Sequence, residues 1–568
     1  MSQPAQRQPA QAWRRPVSEA DAERYHRLGW WRDVTGLDEL LAAVRRHPDK
    51  AAVVSYRKGR ALPSVVTYGQ LGALVDRFAG AFRSLGVEPG DVVTIQLPNS
   101  WEFPALVFGA MRAGAIPNPV PPIYREHELS FMLRHARSKV YVVPDSFNGF
   151  SHRDMAVALQ ASLPELEHVV VIDGDPLDSE VIGFEEVFVR PRHELAPGLA
   201  GELELVRPGA DDPAFLMFTS GTTGMPKASL HTHNTAWSAG RPLPEAIELT
   251  ADDVCFMAST VGHLTGFFWG TYLPLAMGQK VVYQDVWDTR PLLDIVGLEN
   301  ITWTLSATPF AMDMVAAQKV APRALSSLRV FVCGGAPIPP SAAIAMQEHL
   351  GVDLVSLWGM TEIGICSIHR LGAPLEILAA SDGMPVGHMD LRIVGEDLRP
   401  VPDGQEGRLQ ARGPSIILGY RDQPELTRDA ETPDRWFETG DLGLRTPEGG
   451  IRITGRSKDI IVRGGQNVPV VEVENVLVQH ERVREVAVVA YPDERLGERG
   501  CAVVVPDGEP PTLADLKACL DQAGVARQFW PERLEITGAM PRTPSGKIKK
   551  YVLRQLVAGQ PAATMASQ

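Results

Sequence analysis

Apolar residues recur along the chain in two alternating rhythms. Leu71, Leu74, Val75, Phe78, Phe82 and Leu85 return at helical intervals behind Thr67 and Gln70, which have capping-box spacing. Short, mostly apolar, strand-like runs follow at residues 92–97, 140–143, 169–172, 215–218, 254–258, 280–283, 330–332 and 354–357. Runs of this length bounded by turn formers predict buried strands. Pro98-Asn99-Ser100 predicts the cap of a helix ending near Ala113. Strands alternating with helices predict an α/β fold with largely parallel sheets. In such sheets ligands bind beyond the carboxyl ends of the strands, where several glycine-rich and polar stretches fall.

The texture changes near Gly404. Short strands separated by Gly, Pro and Asp turns predict a β-rich subdomain over about 385–456. Beyond it, a helix at 470–477, strands near 486–490 and 502–505 and a helix near 513–520 predict a small, mobile α+β domain over 457–557. The large α/β domain then covers 21–456, with a helical lead-in at 20–41 whose Tyr25, Trp30 and Trp31 pack on the body. The polar, Pro/Gln-rich segment 1–20 is expected to be disordered, and 558–568 to be a flexible tail.

A length of 568 residues accommodates about two to four domains. Hydrophobic content of 44% and charged content of 22% are ordinary for a globular protein. A net charge of -14 argues against a nucleic-acid partner, while a local Lys/Arg cluster can still receive an anionic substrate. The five cysteines lie far apart with no CxxC pair, which fits reduced thiols rather than a zinc site or a disulfide framework. With no apolar signal-peptide core at the start and no run of about 18 apolar residues, no transmembrane segment is expected and the location expected is cytoplasmic.

The run at 215–218 empties into FTSGTTGMPK, with Thr219, Ser220, Gly221, Thr222, Thr223, Gly224 and then Lys227. Glycines let a backbone approach an anion closely, and hydroxyls, N–H groups and a lysine supply donors and charge. That is the chemistry of a polyphosphate cradle, although composition alone fits an ordinary flexible loop equally well. It is not a Walker A loop, whose second glycine is followed directly by Lys-Ser/Thr. The full string resembles the phosphate-binding signature of the acyl-adenylate-forming superfamily: acyl-CoA synthetases, carrier-protein adenylation domains and beetle luciferases.

Further stretches carry the same resemblance in family order over about 48–553. Trp358-Gly359-Met360-Thr361-Glu362 follows a strand-like run and resembles the motif in which Thr meets the α-phosphate and Glu holds Mg²⁺. A cation bridging phosphates needs one or two carboxylates plus water. Gly334-Gly335-Ala336 resembles the turn along the adenine and the floor of the acyl pocket. Asp441 matches the ribose-hydroxyl acceptor, Arg456 the ribose-contacting arginine and Lys458 the hinge. Lys547, in PSGKI, matches the catalytic lysine of the small domain, and Gly464-Gly465 the loop lining the pantetheine tunnel. The resemblance implies ATP, Mg²⁺ and coenzyme A as cofactors, with Lys547, Thr361 and Glu362 catalytic.

It also implies a carboxylic acid substrate. His263 and Leu264, in GHLTGFF, match an acyl-pocket wall; Trp237 and Ser306, with Gly335 and Met360, are further walls. Aryl-acid ligases for ortho-hydroxybenzoates carry Asn where Leu264 stands, so this chain departs from them. Ser306 replaces a bulky ring found in some aryl-CoA ligases and implies a roomier pocket. With no cation for a second carboxylate, an apolar mono-acid is expected: alicyclic, aromatic or medium-chain. Segments 25–31, PDSFNGF and YPDERLGER resemble the branch with cyclohexanecarboxylate-CoA, medium-chain and aryl-acid ligases. Coenzyme A is the expected acceptor, with a carrier-protein thiol as the alternative, and the chain is expected as a monomer or homodimer. A non-catalytic adenylate-binding protein is the rival from another class, and it predicts loss of Lys547, Glu362 or Asp441, all of which are present.

Overall fold

The computed structural model describes residues 17–175, 179–219, 226–335, 340–456, 461–463, 466–468, 470–493, 497–523, 525, 527–543 and 546–559. Two sheets rich in parallel strands form the body. In the nine-stranded sheet, Ala51–Tyr56, Lys280–Gln284, Val254–Met257, Trp303–Ser306, Val330–Gly334 and Asp353–Met360 run parallel. Gly364–Ile368, Met384–Pro385 and Ser64–Thr67 are antiparallel additions at its edges. In the five-stranded sheet, Ile116–Pro119, Val92–Ile95, Ser138–Pro144, His168–Ile172 and Ile182–Gly183 are all parallel. The strands are rich in Val, as parallel strands covered on both faces require.

Helix Tyr68–Ser84 starts where the spacing predicts. Thr67 Oγ1 accepts from Gln70 N–H at 3.2 Å and Gln70 Oε1 accepts from Thr67 N–H at 2.9 Å. Every residue of helix Glu102–Arg112 is buried. The expected cap at 98–100 is not made: the helix begins behind Trp101 with no side-chain cap bond. Asn99 is spent elsewhere. Its Nδ2 donates to Met257 O (3.1 Å) and Ser259 O (3.0 Å), and its Oδ1 accepts from Val261 N–H (2.9 Å). It thereby ties the five-stranded sheet to the loop that carries His263.

The lead-in forms two helices, Glu19–Arg27 and Gly36–Arg46. Between them Trp31 Nε1 donates to Pro414 O at 3.0 Å. A third, three-stranded sheet joins Pro213–Thr219, Lys227–Thr232 and Gly419–Tyr420. The β-rich region is an antiparallel sheet of Asp390–Val394, Gly407–Arg412, Phe437–Arg445 and Ile451–Arg456.

The small C-terminal domain is built on the long antiparallel pair Val483–Asp493 and Gly497–Pro506, with Arg533–Ile536 alongside. Strand alternation splits its core in two. Val486, Val488, Ala502 and Val504 pack with Val473, Leu477, Leu516 and Leu520. Ala487, Val489, Cys501 and Val503 pack with Leu553 and Val557. Among the described residues no helix is long and apolar enough to cross a membrane.

Candidate active site

Strands Pro213–Thr219 and Lys227–Thr232 are antiparallel partners with Thr219 opposite Lys227, so the phosphate-type loop is a connection between two strand ends. Ser220, Gly221, Thr222, Thr223 and Gly224 lie outside the described residues. The residues that flank them meet the end of Asp353–Met360. Thr219 Oγ1 donates to Glu362 Oε1 at 3.2 Å, and the Tyr420 hydroxyl donates to the same oxygen at 3.0 Å. Lys227 Nζ lies 4.9 Å from the centre of the Tyr420 ring. Thr361 and Glu362 are both buried. The Thr361 carbonyl accepts from His231 Nε2 at 2.7 Å, while His231 Nδ1 meets the Thr235 hydroxyl at 3.0 Å. A carbonyl only accepts, so the proton is on Nε2. Burial pushes this imidazole down to about 4 and keeps it neutral.

A second corner forms where the β-rich sheet meets the main one. Trp358 Nε1 donates to Asp441 Oδ2 at 2.8 Å. Asp441 and Arg456 are cross-strand partners, with Arg456 Nε 3.1 Å from Asp441 Oδ1. The angle is poor, so Oδ1 is buried without a hydrogen-bond partner among the described residues. A buried acceptor left open in this way fits a hydroxyl donor from a ligand, as the ribose of a nucleotide would supply. Gly334 closes its strand, Gly359 sits at an irregularity in the pairing with Gly364–Ile368, and Met360 is half-buried beside it. Ala336 lies outside the described residues.

Lys547 is delivered by a tight turn of the small domain. Thr543 N–H donates to Lys547 O at 2.7 Å, Lys547 N–H to Thr543 Oγ1 at 3.0 Å and Gly546 N–H to Thr543 O at 2.9 Å. Gly546 has φ of +83°, which favours glycine. The lysine stem lies against Gly335, also at positive φ (+80°), where an added Cβ would meet Lys547 Cε at 3.2 Å and Nζ at 3.8 Å. Loss of hydration, then the charge of Arg456, lower the Lys547 ammonium to about 8, against the pull of Asp441 and Glu362. The structure therefore gathers Lys547, Gly335, Asp441, Arg456 and Glu362 into one electrostatic neighbourhood.

His263 belongs to it as well: loss of hydration, then the Lys547 charge, lower its imidazole to about 3. Its Nδ1 accepts from Thr265 N–H at 3.4 Å. Leu264 is buried. Ser306, a further candidate wall, is fully buried and its hydroxyl lies 2.9 Å from that of Ser259. Trp237 is covered by the Arg32 guanidinium, 3.3 Å from its ring centre, so it packs under the lead-in. Lys458, Gly464 and Gly465 lie outside the described residues.

Two contributors, His231 and Tyr420, were not found from sequence. Both reach the site through single hydrogen bonds across sheets, which periodicity does not record. For a metal, Glu362 is a lone carboxylate whose Oε1 is occupied by two donors. Among the described residues no group of three or more His, Cys, Asp or Glu could hold an ion. A single carboxylate, completed by water and substrate phosphates, is a donor set that suits magnesium.

Comparison with known proteins agrees with this geometry. Residues 40–421 match the AMP-binding enzyme family and residues 472–547 match the AMP-binding enzyme C-terminal domain. The chain is 34% identical to the medium-chain fatty-acid–CoA ligase of Escherichia coli, over 94% of this chain and 92% of that protein. It is also 34% identical to the salicyl-AMP ligase / salicyl-S-ArCP synthetase of Mycobacterium tuberculosis, over 96% of this chain and 94% of that protein. The crystal structure of the anthranilate CoA ligase AuaEII in complex with anthranoyl-AMP superimposes with a TM-score of 0.82 at 25% identity, covering 92% of this chain and 97% of that one. The chain thus belongs to the AMP-binding enzyme family, the acyl-adenylate-forming ligases, and is an AMP-forming acid–thiol ligase.

Proposed function

We propose that the protein activates an apolar mono-carboxylic acid, whether alicyclic, aromatic or medium-chain, as its acyl-AMP and passes the acyl group to the thiol of coenzyme A. The observation that carries this reading is the position of Lys547, with its stem on Gly335 and its charge facing Asp441, Arg456 and Glu362. The acid's carboxylate must attack the α-phosphorus of ATP and expel pyrophosphate. Two unit charges about 4 Å apart repel by about 4 kcal/mol at an effective dielectric of about 20. The Lys547 ammonium between them offsets that repulsion and stabilises the charge that develops as the bond forms. Lys227 and the hydroxyls of the loop after Thr219 hold the departing pyrophosphate. Magnesium, when bound at Glu362, neutralises phosphate charge.

Asp441 accepts from the ribose through Oδ1, and Arg456 lies beside it. The turn at 334–336 and residues 358–360 border the adenine, and Thr361 meets the α-phosphate. His263 and Leu264 wall the acid. A neutral imidazole and a leucine offer no charge to a second carboxylate, which supports the mono-acid. For the second reaction the small domain, residues 457–557, pivots at Lys458, withdraws Lys547 and brings Gly464 and Gly465 to the pantetheine arm. The thiol then attacks the acyl carbonyl and AMP leaves.

A carrier-protein thiol is the alternative acceptor, favoured by the equal identity to a CoA ligase and to an S-ArCP synthetase. The test is pyrophosphate release with ATP and Mg²⁺ over benzoates, naphthoates, cyclohexanecarboxylate and straight chains from C4 to C12, with and without coenzyme A. Release that rises with coenzyme A, together with AMP and an acyl-CoA product, is expected and identifies the acid class. Release indifferent to coenzyme A moves the acceptor to a carrier protein, and silence across the panel sinks the proposed acid class.

A further inference from the structure

Tyr420 touches two groups of opposite charge, Glu362 and Lys227. It is buried, at 2% exposure, on a short strand whose Tyr420 lies opposite Ser229, and its backbone N–H donates to Thr427 Oγ1 at 3.0 Å. Its hydroxyl donates to Glu362 Oε1 and its ring lies under Lys227 Nζ. Thr219 donates to the same carboxylate oxygen. A carboxylate has two oxygens and about four acceptor sites, so two donors on Oε1 fix its rotation and leave Oε2 as the oxygen on offer.

We propose that Tyr420 is a positioning residue for the metal corner, acting in two ways. Its hydroxyl orients Glu362 so that Oε2 is presented to magnesium. Its ring gives Lys227 a cation–π seat apart from that carboxylate. Without the ring, Lys227 loses that seat and its charge is no longer held in place for the polyphosphate. This deepens the adenylate-forming reading of the site and rests on it.

The test uses Mn²⁺ as the probe, with ATP and no carboxylic acid, and reads bound metal by electron paramagnetic resonance of full-length protein. Tyr420→Phe keeps the ring and removes the hydroxyl. Partners that orient metal ligands are worth about 10–100-fold in metal affinity, so at least about a 10-fold loss is expected. Metal-free ATP affinity and the KM for the acid should not change. Tyr420→Leu removes both parts and should weaken metal-free ATP binding too, because Lys227 then loses its cation–π seat. Tyr420→Phe that binds Mn²⁺ like the wild type overturns the role of Tyr420. A wild type that binds no Mn²⁺ with ATP overturns the reading beneath it. Should Tyr420→Phe not fold, Thr219→Val serves. With Tyr420 still holding Oε1, that variant should lose less than about 10-fold in Mn²⁺ affinity, and a loss equal to that of Glu362→Gln refutes the proposal.

Discussion

The metal corner and the lysine turn are held by different kinds of interaction. Glu362 is locked from several directions within the large domain: Thr219 and Tyr420 on its carboxylate, Ile417 N–H on its carbonyl at 2.9 Å, and His231 on the carbonyl before it. Lys547 rides on a turn whose shape comes from bonds inside itself, reinforced by Arg542, which reaches both Gly546 O and Glu485. The turn meets the large domain through apolar atoms: a Cβ added at Gly546 would lie 3.7 Å from the Phe310 ring and 4.0 Å from Ala307 Cβ, and one added at Gly335 would lie 3.2 Å from Lys547 Cε. One corner is built into strands, while the other is a self-contained part resting against them. In the proposed two-step reaction this division lets the lysine leave without unmaking the Glu362 corner.

Removing Lys547 separates the corners most sharply. Lys547→Ala should lower acid-dependent ATP–pyrophosphate exchange by at least about 10²–10³-fold, the scale of one lost preorganised transition-state donor. Thioester formation from pre-made acyl-adenylate should survive within a few-fold. Equal loss of both half-reactions would mean that Lys547 serves both and that the division is false.

Gly335→Ala disturbs the contact between the corners and touches neither charge. An L-residue at φ of +80° costs about 1–2 kcal/mol, and the new methyl would sit 3.2 Å from Lys547 Cε. If the lysine must back away to that extent, adenylation falls about 10-fold, with thioester formation unchanged. Unchanged adenylation would show that the stem is not seated on Gly335.

What could be read from the sequence follows the same division. The apolar strands, the Thr67 cap and both helices expected of the small domain are local strings, so they were legible, and the motif residues Thr219, Glu362, Asp441 and Lys547 also sit in local strings. Strand Lys227–Thr232 was not, because KASLHT mixes polar and apolar residues and becomes a strand through its pairing with Pro213–Thr219. Asn99 looked like a cap because its neighbours are turn formers, yet its amide is claimed by a loop about 160 residues away. Tyr420 and His231 act across sheets, and no spacing rule links position 420 to 362 or 231 to 361. The resemblance sets Ser306 at the acyl pocket, and its hydroxyl contact with Ser259 is a long-range pairing that no local string records.

The smallest change in rate carries the finest distinction. Arg456 contributes the second cause that lowers Lys547 to about 8, after loss of hydration, so the alkaline behaviour of adenylation reports on their proximity. Lys547 must be charged to act. For the wild type, kcat/KM, which follows the free enzyme, should therefore fall as pH rises through about 8. Arg456→Gln removes a half-exposed ion pair with Asp441, worth at most about 1 kcal/mol, so the rate near pH 7 should drop less than about 5-fold. The alkaline limb should nevertheless move to higher pH, because a repelling cation is gone and the Asp441 carboxylate is left less neutralised. Stability runs the other way. Folding lowers the lysine from 10.5, so between about 8 and that value the unfolded chain binds more protons, and this group makes stability rise with pH. A melting temperature that holds across the limb would assign the loss to the charge on Lys547 rather than to unfolding. A limb that stays in place in Arg456→Gln would mean that the two cations do not sense each other, and that the small domain does not bring Lys547 beside the Asp441–Arg456 pair.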